Sequence, residues 1–221
     1  MPNIEETIKD IKTQCRLAMN GMVSTAMRER GMDYRLNFGV EYPRIREIAR
    51  RYTPDHALAS ELWKSGIREL QIMAGILQPA ETFDPAIADI WISDIHNSEL
   101  AEMTSMNLFS RLPYASEAAF RWIAADDEMT QYCGYLTITR LMARGASLNE
   151  RARHELTDQA IAAAMTEDMY PRRAAINALC ELALSSEEGK RAVLNAVKPY
   201  THAGNPLGQE LHTQLAYALG M

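Results

Sequence analysis

Apolar residues recur three and four positions apart along nearly the whole chain, and nowhere do they alternate in twos between hairpin turns, so the pattern predicts an all-α protein. Ile4, Ile8, Ile11, Cys15 and Met19 form a first stripe. Asn20-Gly21 interrupts it, and Met22, Val23, Ala26 and Met27 resume it before Gly31. A polar loop follows from Asp33 to Gly39, and then EYPRIREIARRY places Pro43 at a first helical position, with Ile45, Ile48 and Ala49 inward and the arginines outward. Thr53-Pro54, Asp84-Pro85 and Asn205-Pro206 each set a capping side chain ahead of a proline at the first helical position, and Ser185 to Glu188 reads as a capping box. These signals predict further helices at 55–65, 67–77, 85–95, 98–111, 116–125, 127–143, 149–165, 170–184, 186–197 and 206–219.

The predicted helices fall in pairs, an outer one followed by a more apolar inner one. The outer members end alike, in SELWKSG, ADIWISD and FRWIAAD, with Trp63, Trp91 and Trp122 spaced twenty-eight and thirty-one residues apart. The inner members share an alanine- and leucine-rich core, as in RELQIMAGIL, CGYLTITRLM, RRAAINALCEL and HTQLAYAL. Self-similar helix pairs at periods near ~30–40 residues are the signature of an α-solenoid, in which each pair buries its apolar face only against its neighbours. The expected organisation is a single domain over residues 1–221, with N-terminal helices and a loop over 1–40 and stacked helix pairs over 41–221. Recurrence at one repeat position makes the tryptophans structural spacers in this scheme, not stacking platforms.

Composition narrows the class without choosing a function. The chain has 221 residues, 47% of them hydrophobic and 24% charged, which suits a globular protein with an ordinary core. The charged N-terminal stretch MPNIEETIKDIK has no apolar run of a secretory signal, and no segment is apolar enough to span a membrane, so a cytoplasmic protein is expected. Cys15, Cys133 and Cys180 are far apart in apolar helical patterns and read as buried reduced thiols. A net charge of −6 argues against nonspecific, charge-driven nucleic-acid binding by the chain as a whole. Its distribution matters more, because Arg28 to Arg51 holds seven arginines against four acids, whereas Asp55 to Glu128 holds thirteen acids against four bases. Arg172-Arg173 is a second basic point.

Most familiar catalytic patterns are missing. His154-Glu155 is followed by Asp158 where a zinc-binding helix needs its second histidine, glycine-rich phosphate loops are absent, and no serine lies in a nucleophile elbow. No metal and no cofactor is expected. The stretch that carries candidate chemistry is IWISDIHNSELAEMTSMNLF, residues 90–109, where a helix opens on Ser98 with Glu99 and Glu102 in its first turn.

In order, FGVEYPRIREIARRY (38–52), ELWKSGIRELQIMAGIL (61–77), the Trp91 helix and the turn into Glu99 and Glu102 resemble the DNA alkylation repair family of HEAT-like-repeat DNA glycosylases. The likeness is strongest from Met27 to about Leu112. It implies a C-shaped superhelix of HEAT-like helix pairs, with a concave groove that cradles duplex DNA. The activity implied is N-glycosidic cleavage of cationic alkylpurines such as 3-methyladenine and 7-methylguanine, by a monomer without metal or organic cofactor. Where the family carries a tryptophan-aspartate pair and, three residues on, a catalytic aspartate, this chain has Ser98, Glu99 and Glu102, so Glu102 is the implied catalytic carboxylate. A family arginine falls near Tyr132 and a second cleft tryptophan near Asn177, which completes the implied cleft of Ser98, Glu99, Tyr132 and Asn177. Arg44, Arg68, Arg172 and Arg173 are the candidate phosphate contacts. The alternative reading is an inactive scaffold that holds a protein or peptide in its groove, and the acidic middle of the chain favours it.

Overall fold

The computed structural model describes residues 3–202 and 204–221, and among these it is all-α, with thirteen α-helices and three short 3-10 turns. The chain divides into two compact units, Met1–Pro113 and Tyr114–Met221.

The first unit begins with α1 (Ile4–Leu17), whose cap residue Asn3 accepts a hydrogen bond from the Glu5 N–H. Its apolar stripe buries Ile11 and Cys15 completely. The stripe stops there: α1 ends at Leu17 and α2 (Gly21–Glu29) restarts on an Asn20 cap, which leaves Met19, in the turn, 58% exposed and Met22, in the first turn of α2, 83% exposed. Their inward placement in the sequence pattern is therefore overturned by the change of chain direction at Asn20. In α3 (Tyr42–Ala49), Ile45, Ile48 and Ala49 are all fully buried, as the pattern predicts.

Next come α4 (His56–Lys64), α5 (Arg68–Leu77), α6 (Pro85–Ser93) and α7 (Ser98–Asn107). The Asp84-Pro85 cap forms as expected, with the Asp84 carboxylate accepting from the Ala86 N–H. Thr53-Pro54 does not cap: Asp55 accepts from the Leu58 N–H at 2.8 Å, and Pro54 stays outside the helix. Inner helix α5 packs on α3, α4 and α7, which accounts for its nearly continuous burial. Trp63 and Trp91 stack at 4.3 Å with rings 4° from parallel, and the Trp63 indole N–H donates to Asp94. Phe83 meets Trp91 edge-on, so Trp63 and Trp91 are core spacers between successive helix pairs of this unit.

The second unit contains α8 (Ala115–Ile123), α9 (Glu128–Ala143), α10 (Glu150–Ala164), α11 (Met169–Ser185), α12 (Glu187–Val197) and α13 (Pro206–Leu219). Inner helix α9 packs on α8 and α11, and α11 in turn packs on α10, α12 and α13. Gly134 lets α9 approach α8 closely, because a Cβ there would lie 2.7 Å from the Ile123 nitrogen. The cap of α12 is Ser186, which accepts from the Gly189 N–H, so it lies one residue beyond the Ser185 box expected from sequence. Asn205 caps α13 as expected. Of the three free cysteines, Cys15 and Cys133 are buried, whereas Cys180 is only partly so. No helix among the described residues is long and apolar enough to cross a membrane.

Candidate nucleic-acid interface

The sequence-predicted residues divide between the units, with Arg44, Arg68, Ser98, Glu99 and Glu102 in the first and Tyr132, Arg172, Arg173 and Asn177 in the second. In the first unit, the opening turn of α7 is fixed from two sides. Asn97 caps it by accepting from the Leu100 N–H, and the Tyr34 hydroxyl, from the loop before α3, reaches both Asn97 Oδ1 and Glu99 Oε2 at 3.0 Å. Arg68, at the start of α5, grips Glu99 with two donors, Nε to Oε2 at 2.8 Å and Nη2 to Oε1 at 2.6 Å.

The third nitrogen of Arg68 points inward. Its Nη1 donates to the Val40 carbonyl at 2.8 Å and to Glu69 Oε1 at 2.9 Å. Glu69 has no exposed surface, and its carboxylate also accepts from the backbone N–H groups of Phe38 and Val40. Burial by itself lowers the affinity of Arg68 for its proton, but the hydrogen bonds and charge of Glu99, with those of Glu69, outweigh it and hold the guanidinium above its usual range. Burial and the neighbouring Glu99 charge also push the Tyr34 phenol up, which keeps it a neutral donor.

Arg68 is therefore corrected from a phosphate contact to a buried ion-pair residue: it is 3% exposed, and all three guanidinium nitrogens have partners inside the unit. Glu99 is likewise engaged, with its side chain 16% exposed. Ser98 and Glu102 are partly buried on α7, with Glu102 one turn after Ser98. Arg44 is exposed but paired with Glu47 at 2.7 Å.

In the second unit, Tyr132 on α9 is only 7% exposed, and its ring lies 5.4 Å from that of Tyr170 on α11. Arg173 and Asn177, one turn apart on α11, are both exposed and share a stripe with Met169. Arg172 is mostly covered, 3.9 Å from Glu210, with its Nε buried and lacking a hydrogen-bond partner.

Sequence reasoning missed Tyr34, Glu69, Tyr42 and Asn107. A signal existed for Glu69, an acid inside the apolar inner-helix run RELQIMAGIL, where a buried charge requires partners. Tyr34 meets Asn97 and Glu99, and Asn107 meets Tyr42, across sixty or more positions.

The comparisons with known proteins bear on this arrangement. A solved protein, described as one of a new family of proteins related to the HEAT-like repeat DNA glycosylases with affinity for branched DNA structures, superposes with a TM-score of 0.79. The superposition covers 95% of this chain and 94% of that one at 16% identity, a likeness of fold. Among curated proteins, no match is found. The family model described as DNA alkylation repair enzyme matches residues 18–153, from the end of α1 into α10 and across more than half of the chain. On that match, the chain belongs to the DNA alkylation repair enzyme family.

Proposed function

We propose that this protein binds DNA by its geometry, with branched DNA preferred over plain duplex, and that Glu102 is the carboxylate serving any release of cationic alkylpurines. The observation that carries the reading is the engagement of Glu99. The acid at the first signature place is gripped by Arg68 and Tyr34, so it acts as a brace for α7 and not as a group facing a sugar.

A methylated purine already carries positive charge and departs readily, so excision mainly requires stabilising an oxocarbenium-like sugar with a carboxylate and aromatic faces. Here Ser98 stands where an aromatic would act, and a cation–π face is worth ~0.5–2 kcal/mol, or up to about thirtyfold in rate. Glutamate in place of aspartate displaces the carboxylate by roughly an ångström, which can cost ~100-fold. Losses of that size leave binding as the main activity, and the fold likeness to a protein with affinity for branched DNA supports the same choice.

The test compares affinity for a four-way junction and for a duplex of the same sequence, alongside release of 3-methyladenine and 7-methylguanine from alkylated duplex by wild type and Glu102→Gln. Tighter junction binding with slow release that Glu102→Gln abolishes is the expected result. Rapid release by wild type makes the protein a glycosylase first, and equal release by both forms removes the role of Glu102. If neither DNA is bound at low salt, the protein-binding scaffold replaces the DNA reading, in keeping with the acid excess of residues 55–128.

A further inference from the structure

The geometry points to Arg46 and Arg50 as the phosphate-binding edge of the first unit, with Arg46 held in place through Tyr42 and Asn107. This rests on the DNA-binding reading and identifies groups that would meet the backbone.

The arginine-rich segment 28–51 supplies the candidates, and the structure sorts those on and beside α3. Arg44 is paired with Glu47, and the Nη1 of Arg51 donates to Gln14 at 3.0 Å. Arg68, just beyond, is buried. Arg46 and Arg50 are exposed and have no ion pair among the described residues. Ile45, Ile48 and Ala49 turn the opposite side of α3 into the core, so positions 46 and 50, one turn apart, share an outward face. Side chains at that spacing start about 6 Å apart, comparable to the axial rise of two nucleotide steps along one strand, about 6.8 Å.

Arg46 is also restrained. Its guanidinium carbon lies 5.8 Å from the centroid of the Tyr42 ring. The Tyr42 hydroxyl donates to Asn107 Oδ1 at 2.7 Å, and Asn107 Nδ2 donates to the Met103 carbonyl at 2.8 Å, so the ring is anchored to the backbone of α7. A cation drawn to a ring face gives up rotamer freedom but keeps its charge, whereas Arg44 brings the Glu47 carboxylate with it to any phosphate. Planar guanidinium donors match phosphate oxygens, and contacts of this kind position DNA without reading sequence. The ligand class is thus the phosphodiester backbone of DNA.

The experiment titrates a four-way junction and plain duplex across a salt series with wild type, Arg46→Gln, Arg50→Gln, Arg46→Lys, Tyr42→Phe and Arg44→Gln. Loss of one phosphate contact lowers the slope of log affinity against log salt by about 0.9 and weakens both DNAs by the same factor, which is the result expected for Arg46→Gln and for Arg50→Gln. Arg46→Lys restores the slope. Tyr42→Phe keeps the ring but frees it from Asn107, and it weakens binding with the slope unchanged, the mark of a positioning residue. Arg44→Gln leaves the Glu47 carboxylate unpaired on the same helix and weakens both DNAs modestly, without the slope change of a lost contact. If wild type binds and both Arg→Gln forms titrate with its slope, the inference fails while DNA binding stands; if wild type binds neither DNA, both fall together. All five substitutions leave the thermal unfolding midpoint nearly unchanged, which separates lost contact from lost fold.

Discussion

Glu69 shows how a residue quoted for a family resemblance can be read for its physical task. With its carboxylate fully buried and accepting from Phe38, Val40 and Arg68, it ties the loop before α3 to α5. Removing one partner of a buried ion pair costs ~3–5 kcal/mol, so Glu69→Ala is expected to lose about that much in urea unfolding, since Arg68 and two backbone donors are left without their acceptor. Tyr34→Phe removes a single hydroxyl at the rim of the same network and is expected to cost about 1 kcal/mol. Cys15 lies nearby in effect: burial, and then the Glu69 charge, push its thiol from 9.0 up to about 12. The native thiol therefore stays protonated and should resist iodoacetamide at neutral pH, while the unfolded chain is labelled. Because the folded value is the higher one, this contribution to stability is whole below about 9 and is lost as pH rises toward about 12; the raised Tyr34, Tyr52 and Tyr135 phenols add losses of the same sign, so the share of Cys15 is the difference between wild type and Cys15→Ala in alkaline urea titrations. Identical alkaline limbs for wild type and Cys15→Ala would mean that the thiol is not desolvated as described. Apart from the adjacent Arg68–Glu69 pair, these couplings are not legible from spacing along the chain, because they join residues tens of positions apart.

At the scale of helices, caps and close approaches decide what the apolar period leaves open. Asn97 both caps α7 and receives the Tyr34 hydroxyl, so Asn97→Ala should cost about 1 kcal/mol for the cap alone and loosen the turn that carries Glu99 and Glu102. Gly134 is a sharper case. In an isolated helix, Gly→Ala gains about 0.8–1.0 kcal/mol, yet in α9 the added Cβ would meet Ile123 backbone and side chain at 2.7 and 2.9 Å. Gly134→Ala is therefore expected to destabilise by about 1–3 kcal/mol in thermal unfolding, the opposite sign to its propensity. The helix pairs themselves were legible, since a 3.6-residue period and proline-marked starts are local properties. Cap positions at Asp55 and Ser186 were not, because adjacent polar residues compete for one role and the geometry of the preceding turn chooses between them.

For the molecule as a whole, the net charge of −6 makes binding to a polyanion a matter of where the charges stand. Arg46 and Arg50 in the first unit and Arg173 in the second are exposed cations, whereas Arg44, Arg68 and Arg172 are paired with or lie close to carboxylates. If shape, not charge alone, selects branched DNA, added salt should weaken junction and duplex together and leave their ratio nearly constant. A ratio that collapses to one at physiological salt would mean that the preference was only electrostatic.

The sequence by itself determined that this is an all-α chain and that its helices come in repeated pairs. Those follow from periodicity and short-range chemistry. Only the tertiary structure decided which charges remain available, because pairing depends on what folds against each side chain. It is packing of α5 on α7 that turns Arg68 and Glu99 from candidate ligands into a brace, and an aromatic ring anchored from α7 that leaves Arg46 with its charge intact.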